Sequence, residues 1–94
     1  MHEDTTPKEK TFEEYVAEQA ADMVAELKAH EAEFGGPGDW LKGEPESWLD
    51  ALRDQVDNLE NAIDVGSPAA EVKKRAAHVC NFAMMAAQTE LAQR

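Results

Sequence analysis

The sequence predicts an all-α protein: a three-helix unit with an antiparallel helical hairpin that completes its bundle by dimerisation. Apolar residues recur at three- and four-residue spacing through three long segments, and glycine and proline punctuate the joints between them. The apolar share of 43% is ordinary, but aromatic residues are only 6% and alanine supplies much of the rest. Alanine lets helices approach closely while burying little area, so a single domain of 94 residues is short of core and gains from pairing with a second copy.

Residues 1–10 carry no periodicity and are expected to form a flexible tail, leaving 11–94 as one helical domain. Thr11 followed by Glu14 fits a capping box, in which hydroxyl and carboxylate each satisfy an orphan amide. From there Phe12, Val16, Met23, Leu27 and Phe34 form a stripe at near-helical spacing, predicting helix one to about residue 33. Gly35-Gly36-Pro37-Gly38 ends it.

Pro45 or Ser47 begins the second helix, with Ser47 and Asp50 offering a second cap. Its stripe is Trp48, Leu49, Leu52, Val56, Leu59 and Ile63, and Gly66 stops it. Ser67 then serves as N-cap and Pro68 as first residue of helix three, over about 68–92. That helix has one apolar line at Val72, Ala76, Val79 and Ala83, and another at Cys80, Met84, Ala87 and Leu91. An arc so wide predicts packing against two surfaces, the second belonging to another subunit.

The formal net charge is −11, from 20 acidic and nine basic residues. Such a field repels phosphate backbones and argues against a general nucleic-acid binder. No apolar run reaches membrane-spanning length, and the polar, charged start carries no secretory pattern. The expectation is a cytoplasmic protein, in the host cytoplasm if phage-encoded, with neither nucleic-acid nor membrane partners.

Cys80 has no cysteine to pair with, and its neighbours make it a small buried hydrophobe. No Cys/His zinc cluster, phosphate-cradling glycine loop or nucleophilic triad is legible. Met84 and Met85 read as core fillers. Trp40 and Trp48 flank the joint, one capping the bundle and the other free to stack on a base or a partner.

Helices two and three also resemble the paired helices of the MazG-like all-α nucleotide pyrophosphohydrolases, particularly small phage-encoded members. Residues carrying the likeness are Gly38-Asp39-Trp40, Leu52-Arg53-Asp54-Gln55-Val56-Asp57-Asn58-Leu59-Glu60-Asn61-Ala62-Ile63, the Gly66-Ser67-Pro68 joint, and Arg75-Ala76-Ala77-His78-Val79-Cys80-Asn81-Phe82-Ala83-Met84-Met85. The likeness spans about residues 20–87. In the family the last segment reads roughly E-A-A-D-V-A-N-F-A-M-M, and carboxylates of both helices hold Mg²⁺ ions that bind the triphosphate and prepare water for attack.

By that resemblance the E-E-x-x-E motif falls on Asp54, Gln55 and Asn58, the E-x-x-D motif on Arg75 and His78, and a family asparagine on Asn81. These six mark a vestigial metal or nucleotide site. Mg²⁺ wants hard oxygen donors, and a guanidinium has no lone pair to give. No catalytic residue, metal ligand or cofactor is therefore assigned.

The expected function is a non-catalytic binding or regulatory protein, a homodimer acting on a host protein or sequestering a nucleotide. One alternative is a Mg-dependent nucleoside triphosphate pyrophosphohydrolase with rearranged ligands at Asp50, Asp54, Asp57 and Glu60. Another is a structural dimerisation module. Charge arithmetic adds that Arg75 and His78 meet the acids of helix two in the metal's place, raising the His78 pKa; the plainer possibility is an Arg75–Glu71 pair one turn apart.

Overall fold

The computed structural model describes residues 9–94, and the tail expected at 1–10 lies outside this range except for Glu9 and Lys10. The described chain is all-α, with helices α1 (Phe12–Ala29), α2 (Glu31–Phe34), α3 (Pro45–Asp64) and α4 (Ala69–Ala92), and a 3-10 turn at Asp39–Lys42 between α2 and α3. The second and third expected helices are thus α3 and α4. None of the helices is long and apolar enough to cross a membrane.

The first helix begins as its sequence dictates. Thr11 Oγ1 accepts from the Glu14 amide at 3.1 Å, and the Glu14 carboxylate accepts from the Thr11 amide at 2.8 Å. Helix one does not run unbroken to residue 33. It stops at Ala29, turns at His30, and resumes as the single turn α2. The bend sets the His30 ring 5.4 Å from that of His78 and the Phe34 ring 5.8 Å from that of Phe82. Gly35 then takes φ +81°, and a Cβ there would lie 2.5 Å from the Asp39 carboxylate, which accepts from the Gly36 amide.

Two expected caps are corrected. α3 starts at Pro45, whose ring presets helical φ and needs no amide partner, so Ser47 lies inside the helix and caps nothing. Asp50 pairs with Arg53 instead. At α4 the N-cap is Pro68 and the first helical residue is Ala69, one position later than expected, without a side-chain cap.

α3 and α4 form a hairpin joined at Val65–Pro68, and α1 packs on α4. α4 is therefore the central helix, and both of its packed surfaces lie within the chain. Its buried residues fall on two adjacent lines at four-residue spacing: Ala77, Asn81, Met85 and Thr89, then His78, Phe82 and Ala86. The two apolar lines expected from hydropathy are not the core. Val72, Ala76, Val79, Cys80 and Met84 are half-buried, while Ala83, Ala87 and Leu91 are exposed. The fully packed face includes three polar side chains, which a hydropathy stripe passes over.

The stripes of α1 and α3 are buried only in part. On α1, Met23 and Leu27 are half-buried while Phe12 and Val16 stand in solvent. On α3, Trp48, Leu49, Leu52 and Leu59 are half-buried, but Val56 and Ile63 are exposed.

The far end of α4 is pinned to the 3-10 turn. Trp40 O accepts from Trp48 Nε1 at 3.2 Å and from Thr89 Oγ1 at 3.3 Å, and Gln93 Nε2 donates to Gly43 O at 2.7 Å. These bonds satisfy carbonyls of a segment that has no ladder of its own. They also fix Trp48, which stacks on Phe82 with ring centres 6.0 Å apart.

Candidate functional site

The side chains with most chemistry gather where the α1–α2 bend meets the middle of α4. Glu26 and His30 are four residues apart, so both project from one side of the end of α1. His78 comes from the buried face of α4. Glu26 Oε1 lies 3.6 Å from His30 Nε2 and 3.3 Å from His78 Nε2. The other ring nitrogen of His30, Nδ1, is 2.8 Å from Glu33 Oε1 on α2. A carboxylate only accepts, so this contact places a proton on Nδ1, while Nε2 is the nitrogen nearer Glu26.

A groove of about 240 Å³ opens beside this cluster. Its walls are His30, Glu33 and Phe34 from the bend, Gln55 from α3, and Lys74, Arg75, His78 and Phe82 from α4. Three helices contribute, and two of the groove's groups carry fixed positive charge. Phe34, Phe82 and Trp48 form one aromatic cluster, with edge-on contacts at 5.8 and 6.5 Å.

The structure brings some of the expected residues together and separates others. Gln55, Arg75 and His78 line the groove. Asp54 and Asn58 are exposed on α3, and the Asn58 amide reaches only Gln55, at 3.4 Å. Asn81 points to α1, donating to Met23 O at 3.0 Å. Trp40 and Trp48 are both half-buried, and Trp48 is committed to Phe82 and to Trp40 O.

The expected clasp between the cations of α4 and the acids of α3 is overturned. Arg75 Nε donates to Glu71 Oε2 at 2.6 Å, one turn earlier on the same helix. His78 faces Glu26 of α1. Asp50, Asp54, Asp57 and Glu60 all lie on the exposed side of α3, turned away from α4 by the side that packs.

The expected rise in the His78 pKa is overturned too. Burial holds the imidazole below the ordinary histidine value. Glu26 opposes the shift, while His30, Arg75 and Lys74 add to it. A lowered pKa favours the neutral imidazole, the form that ligates a metal ion.

Glu26, His30 and Glu33 belong to the site but were not grouped with His78 by sequence reasoning. The signal available was Glu26-x-x-x-His30 with Glu33 following, acid and imidazole on one helical face. Nothing local links them to a histidine 48 positions on.

Comparison with family models, curated proteins and solved structures found no match to this chain. The fold and site define an all-α helical protein built around one central helix, with a histidine–carboxylate cluster at its three-helix junction.

Proposed function

We propose that the protein is a non-catalytic binding protein of regulatory type on a MazG-like scaffold, working as a homodimer and holding the phosphates of a nucleotide without hydrolysing it. The observation that carries this reading is the composition of the groove. Where a magnesium enzyme needs converging carboxylates, the groove offers Lys74 and Arg75, with Glu33 as its one lining carboxylate and Gln55 as the only contribution from α3. Fixed cations hold an anion directly, with no intervening metal. Phe34 and Phe82 on the same wall supply apolar surface for a base.

Dimerisation draws support from the thin core. Among the described residues the buried apolar side chains are Ala62, Ala77, Phe82, Met85 and Ala86, only two of them large, and α1 buries none of its 18 residues fully. Ala83, Ala87 and Leu91 make an exposed apolar line along α4. A second copy laid on that line would extend the core.

Titration of the protein with nucleoside mono-, di- and triphosphates, with Mg²⁺ or with a chelator, tests the reading through tryptophan fluorescence, because Trp48 stacks on the groove residue Phe82. The reading predicts a response equal in both conditions and weakened by Arg75→Gln. Binding that requires Mg²⁺ would contradict it.

A further inference from the structure

We propose that Glu26, His30 and His78 form a binding site for a divalent transition-metal ion of the zinc type, joining the end of α1 to the middle of α4. This goes beyond the binding function above and does not depend on it.

The donor set and its geometry carry the proposal. Two imidazoles and one carboxylate suit Zn²⁺, leaving one position for water or a ligand. Bonds of about 2.0–2.1 Å place neighbouring ligand atoms of a tetrahedral site roughly 3.3–3.5 Å apart. The Glu26–His78 and Glu26–His30 separations of 3.3 and 3.6 Å already match that edge. One ligand atom from each of the three residues lies within 4.8 Å of the others, so a small side-chain rotation closes the third edge.

A second, independent feature is the outer partner of His30. Its Nδ1–H donates to Glu33, an arrangement that fixes the tautomer and the orientation of the ring. Surface histidines paired with a single acid lack such a double arrangement, with one carboxylate on each ring nitrogen. The ring of His78 is buried, which excludes competing water, and the bend at His30 is what brings the two rings edge to face.

Charge around the site favours a cation in spite of its neighbours. Lys74 and Arg75 of α4 stand nearby, but Arg75 is held by Glu71, while Glu26 and Glu33 supply two negative charges directly at the rings. The same donors do not suit Mg²⁺, which demands oxygen ligands in octahedral array.

The test is calorimetric titration of the full chain with Zn²⁺ and, separately, with Mg²⁺. The expected result is one Zn²⁺ per chain, a melting temperature raised by Zn²⁺ and restored by chelator, and no Mg²⁺ binding. His78→Ala and His30→Ala should abolish the Zn²⁺ site, and Glu33→Gln should weaken it about 10- to 100-fold. Should a histidine variant fail to fold, Glu33→Gln, which removes no ligand, still reads the site. His2→Ala should change nothing, since His2 is not among the proposed ligands. Zn²⁺ binding that survives His30→Ala and His78→Ala, is lost in His2→Ala, or is indifferent to Glu33→Gln would overturn the proposal.

Discussion

His78 on the central helix faces Glu26 on α1, with Nε2 and Oε1 3.3 Å apart, and it does not face the acids of α3. The contact ties two segments 52 residues apart and gives the buried face of α4 a polar anchor. It only partly offsets the burial of the His78 ring, which governs how that group answers to pH.

In metal-free protein the His78 pKa is lowered from 6.5, chiefly by burial, with Glu26 opposing and His30, Arg75 and Lys74 assisting. A histidine with a depressed folded pKa leaves the unfolded chain binding more protons between the two values. Its effect is absent above the unfolded value of about 6.5, and stability falls as pH drops from there to the folded pKa. Urea unfolding with chelator present at about pH 7.5 and about pH 5.5 should show the loss, and His78→Gln should shrink it. A gain on acidification would mean a stabilised imidazolium.

Arg75 pairs with Glu71 at i,i+4 on a partly exposed surface. Such a pair contributes about 0.2–0.5 kcal/mol. Arg75→Ala should therefore cost about as little as Lys73→Ala, both within roughly 0.5 kcal/mol in chemical denaturation. A loss of several kcal/mol for Arg75→Ala alone would restore the internal clasp.

Met85 is fully buried at the centre of α4, and among the described residues the only other large apolar side chain of the buried core is Phe82. Met85→Ala should cost about 2–5 kcal/mol, since lost transfer energy and a cavity add together. Leu91→Ala, half exposed at the end of the same helix, should cost far less by the same measurement.

The exposed line Ala83, Ala87 and Leu91 predicts where a second copy sits. Ala87→Glu should weaken the proposed dimer in sedimentation by like-charge and desolvation penalties while leaving the helical signal unchanged, because Ala87 is exposed on α4. A wild-type chain that sediments as a compact monomer at micromolar concentration would remove the dimer.

What was legible in the sequence was local. The Thr11–Glu14 box, the stop at Gly66 and the extents of α3 and α4 within a residue or two each depend on neighbours a few positions apart. The core of α4 was misread because its packed face carries His78, Asn81 and Thr89, each with a polar partner on another element that hydropathy does not register, although Asn81 Oδ1 has none. Of the six positions that the resemblance singled out, Gln55, Arg75 and His78 share the groove, since the antiparallel hairpin brings those positions of α3 and α4 level. The bend at His30 was hidden because Ala29-His30-Glu31-Ala32 contains no helix breaker. It is tertiary contact with His78 and Phe82 that places it.

The central claim is that the groove beside the histidines, lined by Lys74 and Arg75 with Glu33 as its one carboxylate, binds without magnesium-dependent hydrolysis. Release of pyrophosphate from a panel of nucleoside triphosphates by the unmodified protein, with Mg²⁺ or Mn²⁺, tests it most directly. The account predicts none above the protein-free rate, and none from Arg75→Glu alone, since Asp54 remains on the exposed side of α3 and Gln55 and His78 still line the groove. Metal-dependent pyrophosphate release that is lost on Asp54→Asn would contradict it.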